Sequence, residues 1–225
     1  MKRYDVKQVA KFLSKEALRW DSHQWLNIPV LKVDEFHPFG SGHKPDVSVK
    51  LVHTNDCVHI LFRVQDRYIR AIRTGRQNPV CLDSCVEFFA WPKHDSGYVN
   101  LEMNCGGAFL SKYYKNPDAD SEELHRTACP LNNTVLDKVV IRTTMPQTVD
   151  PEIEEWTTYY VQASIPAAVY ESVVGRIGSL QGQIWRANFY KCGDETSHPH
   201  WGSWNPIGKE LNFHQPHKFG EIRFL

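Results

Sequence analysis

Polar and apolar side chains alternate over much of this chain, and no other feature of the sequence limits the fold so strongly. Residues 98–105 show the pattern most clearly: apolar Val99, Leu101 and Met103 alternate with polar Asn100, Glu102 and Asn104. Successive side chains of a β-strand point to opposite faces. The spacing therefore predicts a strand with one apolar face and one polar face.

Similar segments recur along the chain, separated by glycine, proline or asparagine. We predict strands over residues 47–53, 58–65, 84–91, 98–105, 108–114, 138–143, 157–165, 183–192 and 219–225. Residues 6–19 instead carry apolar side chains at helical spacing behind Asp5, and Pro166 begins a short connecting helix. With little alternation of strands and helices, the expected fold is all-β. We predict an antiparallel β-sandwich in a single domain, 1–225, with residues 1–20 as a helical arm.

Charge and composition argue against several classes of partner. Lys plus Arg number 26 and Asp plus Glu number 26, so the formal net charge is zero. Non-specific binding to nucleic acid or to an anionic membrane depends on an excess of positive charge. We therefore expect neither as a partner. The N-terminus lacks the apolar segment of a secretory signal, which predicts a cytoplasmic protein, or a secreted one if Met1 replaces a native leader.

Metal-binding patterns in the sequence are weak. The six cysteines form no CxxC pair, and we expect them to be reduced. His198 and His200 could chelate a metal from one strand, with Asp194 or Glu195 as an oxygen ligand. No second close pair of ligands accompanies them, so no metal site and no cofactor are predicted.

Three predicted strands offer polar groups that a simple sandwich does not require. Asn100, Glu102 and Asn104 share one face of their strand, and Arg186, Asn188 and Tyr190 share one face of another. Glu87 interrupts an apolar strand, where an unpaired carboxylate is costly to bury. Carboxylates, carboxamides and guanidinium groups match vicinal hydroxyls well. These faces either contact solvent or form a surface that binds a polyhydroxylated ligand.

Aromatic residues and histidines are concentrated near the C-terminus. Aromatic rings stack on the apolar C–H faces of sugars, although most rings also serve ordinary core packing. The candidate stacking residues are Trp201, Trp204 and Phe213, and His214 would close the edge of the site. The full set of candidate ligand-binding residues is Glu87, Glu102, Asn104, Arg186, Asn188, Tyr190, Trp201, Trp204, Phe213 and His214.

Four segments in this order resemble the family 9 carbohydrate-binding modules, which share the β-sandwich of the DOMON superfamily. They are Phe62–Tyr68 followed by Cys81–Phe89, then Tyr98–Asn104, Ala187–Tyr190 and Phe213–Gly220. The resemblance covers about residues 20–225 and is nearest to stand-alone bacterial members. It implies that Glu87, Asn188 and Tyr190 bind sugar hydroxyls and that Phe213 replaces one of two stacking Trp rings.

The sequence also departs from the family pattern. Cys81 or a neighbour stands where the second Trp is expected, and Glu102 stands where the family has Arg. Another ring, such as Trp201 or Tyr68, would have to complete the sugar site. The calcium sites of the family match no clear acidic cluster, so calcium is only an alternative to the prediction of no cofactor.

We therefore predict non-catalytic binding of a saccharide or sugar derivative. One alternative is an enzyme that acts on a small sugar or sugar acid with Glu87, Glu102 or His214 as acid and base. A further alternative is a cytosolic interaction protein that has lost sugar binding.

Overall fold

The computed structural model describes all residues, 1–225, and shows a protein built mainly from short strands. Strands of the first half of the chain are β1 (Arg3–Gln8), β2 (Leu31–Lys32), β3 (Glu35–Phe36), β4 (Asp46–His53), β5 (Cys57–Asp66), β6 (Ile69–Ala71), β7 (Cys85–Trp91), β8 (Tyr98–Asn104), β9 (Phe109–Leu110) and β10 (Lys112–Tyr114). Those of the second half are β11 (Cys129–Pro130), β12 (Val140–Thr143), β13 (Val149–Ile153), β14 (Thr157–Pro166), β15 (Ile184–Cys192), β16 (Trp201–Ser203) and β17 (Gly220–Phe224).

Helices are few and short. They are α1 (Ser121–Thr127), α2 (Asn133–Leu136) and α3 (Ala167–Val174), with single 3-10 turns at Ser14–Glu16, Val80–Leu82 and Pro216–Lys218. Asp120 caps α1 by accepting a hydrogen bond from the backbone N–H of Glu123. No helix has the length and apolar character needed to cross a membrane.

Most strands belong to one strongly curled sheet. Its strand order is β11-β10-β8-β7-β15-β17-β1-β4-β5-β14-β12, and β6 pairs with β13 separately. The first four residues of β1 pair with β17 and its last two pair with β4, in both cases parallel. The two halves of the sheet face each other across the main core, where the rings of Phe62 and Phe189 lie 6.3 Å apart.

The predicted β-rich fold is confirmed, but two details of the prediction were wrong. The sheet is continuous and mixed rather than an antiparallel sandwich, because β1 joins its halves through parallel pairing. The predicted N-terminal helix is absent: Asp5 and Val6 lie in β1, and Val6 is buried in the main core. Farther along, Phe12 and Leu18 pack around Trp20 and Trp25. The apolar residues at helical spacing thus serve two separate clusters, so a helix there would not bury them.

Three strands position the candidate site. Strand β7 lies between β8 and β15, and both pairings are antiparallel. The inward faces of these strands carry the apolar side chains that fill the main core: Val86, Phe88, Ala90, Val99, Leu101, Met103, Trp185, Ala187 and Phe189. Their opposite faces carry the polar side chains, as the alternation predicted.

Candidate functional site

A cleft of about 290 Å³ opens over the polar faces of β7, β8 and β15. Its lining consists of Cys81, Glu87, Glu102, His125, Cys192, Asp194, Trp201, Leu211, Asn212, Phe213 and His214. Five of the ten residues predicted for the site line this cleft: Glu87, Glu102, Trp201, Phe213 and His214.

The polar faces do not point to solvent, because the C-terminal segment and α1 cover most of them. Phe213 stacks on Tyr190 with ring centroids 4.1 Å apart, and the Tyr190 hydroxyl donates to the Phe213 carbonyl over 2.9 Å. Phe219 and Leu124 pack into the same layer. The cleft is the part of the polar face that remains open.

Two carboxyl groups form part of the cleft lining. Glu87 and Glu102 are directly paired across β7 and β8, and they are 2% and 7% exposed. Burial raises the pKa of Glu87 well above its ordinary value, and the charge of Glu102 raises it further. Burial also raises the pKa of Glu102 to about 7, although Lys112 and a hydrogen bond from Asn100 oppose the change. Near neutral pH the pair therefore retains protons.

Two aromatic rings line the same cleft, and both are partly exposed. The Trp201 indole N–H donates to Asp194 over 2.8 Å, which fixes the orientation of that ring. Burial raises the pKa of Asp194, while this hydrogen bond lowers it. The stacking on Tyr190 described above fixes the ring of Phe213. The cleft thus combines carboxyl groups with two oriented rings.

His214 is held by aromatic neighbours at the edge of the cleft. Its Nδ1 atom lies 2.9 Å from the hydroxyl of Tyr98, and its ring lies 4.4 Å from that of Tyr114. Burial, with a smaller effect from the charges of His125 and Lys112, lowers the pKa of His214 to about 3. The imidazole is therefore neutral at physiological pH.

Comparison with known proteins identifies the family. The model of carbohydrate-binding family 9 matches residues 15–224, nearly the whole chain. The chain belongs to carbohydrate-binding family 9. The resemblance predicted from the sequence is thereby confirmed. No curated protein matches the chain at a significant level.

Solved structures with the family 9 fold include three that resemble this chain over almost its full length. A crystal structure of a candidate carbohydrate-binding protein from Bacteroides uniformis ATCC 8492 has 28% identity and a TM-score of 0.85, covering 100% of this chain and 99% of that one. A family 9 module from Caldicellulosiruptor kristjanssonii in complex with glucose has 14% identity and a TM-score of 0.65, covering 100% and 96%. The same source provides a complex with cellotriose, with 14% identity and a TM-score of 0.62, covering 99% and 93%.

The other predicted site residues of this family 9 protein lie outside the cleft lining. The Asn104 side chain donates to the Arg73 carbonyl and to Asp83. Asn188 exchanges two hydrogen bonds with the backbone of Asn205. Both amides thus tie neighbouring segments to the sheet.

Arg186, Tyr190 and Trp204 also have structural partners. The Arg186 guanidinium donates to the carbonyls of His217 and Phe219, and Tyr190 lies beneath Phe213. Trp204 is buried in the main core against Phe189. These residues hold the C-terminal segment that shapes the cleft.

Of the two alternative rings considered from the sequence, Trp201 lines this family 9 cleft, whereas Tyr68 and the histidine pair lie outside its lining. Tyr68 stacks on His198 at 3.5 Å, away from the cleft lining. The two ring nitrogens of His200 bond to the His198 carbonyl and to Lys191 Nζ, 2.7 Å away. His200 therefore has no free ring nitrogen for a metal.

Sequence reasoning missed six residues of the cleft lining: Cys81, His125, Cys192, Asp194, Leu211 and Asn212. Cys192 follows the alternation of β15 and could have been assigned to the polar face. The others lie outside the three central strands, and no local pattern assigns them to this face.

Proposed function

We propose that this protein binds a saccharide non-covalently in the cleft above β7, β8 and β15. One observation carries the proposal: the paired carboxyls of Glu87 and Glu102 lie in the same cleft as the partly exposed rings of Trp201 and Phe213. Membership of carbohydrate-binding family 9 supports it. So does the fold shared with the Caldicellulosiruptor kristjanssonii module, which binds glucose and cellotriose.

The chemistry of the lining suits sugar hydroxyls. A protonated carboxyl both donates and accepts hydrogen bonds, and the amide of Asn212 adds donors and an acceptor. Trp201 and Phe213 present apolar faces to the C–H surface of a sugar ring. His214 contributes a neutral imidazole at the edge.

The size of the cleft favours a small ligand. Its volume of about 290 Å³ lies just below the usual range for ligand sites, roughly 300–1,000 Å³. We infer that the cleft takes a monosaccharide or the end of an oligosaccharide rather than the middle of a long chain.

Calorimetric titration with glucose, cellobiose, cellotriose and glucuronate tests the proposal. We expect Glu87→Gln, Trp201→Ala and Phe213→Ala each to weaken binding by about tenfold or more, which corresponds to about 1.4 kcal/mol. Trp156→Ala is the matched control, because Trp156 is 62% exposed and lies outside the cleft. Unchanged affinity in Glu87→Gln and Phe213→Ala, with the fold intact, would contradict the proposal.

An enzyme is the second candidate, and the raised pKa values of the carboxyl pair are the observation that favours it. A carboxyl with a pKa of about 7, as for Glu102, can act as a general acid near neutral pH. This candidate predicts product release from an aryl glycoside with a bell-shaped pH dependence that Glu87→Gln abolishes. Sugar binding without any product supports the binding module, and binding of no sugar supports an interaction protein.

A further inference from the structure

Two cysteines and a glutamate meet where β7 and β15 pair. Cys85 lies directly opposite Cys192 in the antiparallel register, and Glu87 is two residues farther along β7 on the same face. The two sulfur atoms and a carboxylate oxygen all lie within 4.8 Å of one another. The Cys192 thiol donates to Glu87 Oε1 over 3.0 Å.

This group is buried without a cationic partner. Cys85, Glu87 and Cys192 are 0%, 2% and 1% exposed, and the thiol of Cys192 is the only hydrogen-bond donor to the Glu87 side chain. The nearest buried ammonium, that of Lys191, bonds to Asp66, to His200 and to the carbonyl of Cys192 instead. A buried carboxyl with no cation to compensate it is unfavourable when ionised. A bound cation would supply that compensation.

The chemistry of the donor atoms selects the cation. Calcium and magnesium prefer oxygen ligands throughout, whereas two sulfurs with one carboxylate suit zinc. We propose that Cys85, Cys192 and Glu87 form a Zn²⁺ site at the side of the cleft formed by β7 and β15. Three protein ligands leave a fourth tetrahedral position free.

The fourth position faces the cleft. Glu87 and Cys192 both belong to the cleft lining, whereas Cys85 lies behind them. If zinc is bound, water would fill that position in the empty cleft, and a sugar hydroxyl entering the cleft would compete with it. Glu87 belongs to both proposals, but the two cysteines are not part of the sugar-binding set, so the zinc site can be tested separately through them.

Metal binding at this site must displace protons. Each thiol loses its proton to solvent as its sulfur coordinates the metal, and Glu87 loses any proton that it holds. Zinc affinity therefore rises with pH, and proton release accompanies binding.

Cobalt substitution tests the site in the full-length chain. The reduced, metal-free protein is titrated with Co²⁺ under anaerobic conditions and then with Zn²⁺. We expect the absorption bands of tetrahedral cobalt with thiolate ligands, which Zn²⁺ then removes. Cys85→Ser and Cys192→Ser should each lower the affinity for Zn²⁺ by at least about 100-fold, more than loss of an outer-shell partner costs. Glu87→Gln should keep the thiolate bands with a weaker affinity.

Two other cysteines provide matched controls. Cys129→Ser removes an exposed thiol and Cys105→Ser a buried one, and both variants should bind cobalt and zinc as the wild type does. Absence of thiolate bands in the wild type, or bands that persist in Cys85→Ser and Cys192→Ser, would overturn the zinc site. Titration of cellotriose into Cys85→Ser, which retains Glu87, measures saccharide binding separately, so failure of one proposal is distinguishable from failure of the other.

Discussion

Glu87 and Glu102 face each other across neighbouring antiparallel strands, and both are almost fully buried. Directly paired residues in such a sheet have Cβ atoms about 4.5–5.5 Å apart. Two carboxylates at that separation repel each other when both are ionised, and burial penalises each charge further. The folded protein therefore binds protons at this pair more tightly than the unfolded chain does.

The first prediction concerns the pH dependence of stability. The pKa of Glu102 is about 7 in the folded protein and 4.5 as its ordinary value. The stabilisation from its bound proton is therefore fully present below about 4.5 and is lost as pH rises through about 7. Relative to Glu102→Gln, the wild type should lose about 2–3 kcal/mol of unfolding free energy between about pH 5 and 8. Urea denaturation at several pH values measures this difference.

A surface variant provides the comparison for that experiment. Glu122→Gln changes an exposed glutamate on α1, and its stability relative to the wild type should not vary with pH over this range. If the difference in unfolding free energy between Glu102→Gln and the wild type does not change with pH, the carboxyl pair does not take up protons on folding.

The second prediction concerns His214, whose contribution to stability changes with pH in the opposite direction to that of Glu102. The pKa of His214 falls from 6.5 to about 3 on folding, so its contribution is present above about 6.5 and is lost as pH falls toward 3. The side chain is partly exposed, and solvent reduces the effect. Relative to His214→Gln, the wild type should lose about 1 kcal/mol between about pH 7 and 5. NMR titration provides a direct check, because a ring signal of His214 that titrates near 6.5 would contradict a neutral imidazole at physiological pH.

The third prediction concerns the buried ion pair of Lys191 and Asp66. Lys191 Nζ lies 3.1 Å from Asp66 Oδ2, both side chains are fully buried, and His43 bonds to the other oxygen at 2.7 Å. Burial alone would raise the pKa of Asp66, but Lys191 and His43 lower it to about 2. Lys191→Met should cost about 3–5 kcal/mol of unfolding free energy because it leaves the carboxylate unpaired.

The double variant separates the pair from its surroundings. The double variant, Lys191→Met with Asp66→Asn, should be less destabilised than the sum of the two single variants, because each single variant leaves one buried charge unpaired and the double variant leaves none. Additive losses in urea denaturation would mean that the two groups do not interact.

The fourth prediction concerns the close approach at Gly220. A Cβ atom there would lie 2.3 Å from Asn205 Nδ2 and 2.5 Å from a ring carbon of Trp204. Gly220→Ala should therefore cost about 1–3 kcal/mol, the usual penalty for an overpacked core. Thermal unfolding measures the loss, and Gly40→Ala, whose nearest contact would be 3.3 Å, should be much milder. Equal melting temperatures for the two variants would contradict this explanation.

Sequence reasoning located the long strands because each has one face in the core. The alternation in β8 separates Leu101 and Met103 from Glu102 and Asn104, and the structure places the first pair in the main core. It could not locate β1, because the parallel pairing of Val6 with Phe224 joins residues far apart in the chain. Such pairing leaves no local pattern, and the helical spacing of residues 6–19 was misleading.

The candidate site was predictable only in part, for a related reason. Polar faces on β7, β8 and β15 are visible in the sequence, and they led to Glu87 and Glu102. Which polar residues remain open to a ligand depends on how the segment around Phe213 covers the sheet, and that is a tertiary contact. Asn188 therefore looked like a ligand-binding residue, although its amide bonds to the backbone of Asn205.

The position of β1 bears on the order in which the protein assembles. Strand β17 pairs with β15 on one side and with β1 on the other, and β1 in turn leads to β4. During synthesis, residues 3–6 are made more than 200 residues before their partners in residues 221–224. Contacts between such distant segments form slowly because a long loop must close before they contribute. The two halves of the sheet can therefore be joined only late in folding. Until then, β15 lacks its neighbour β17 and β4 lacks its neighbour β1.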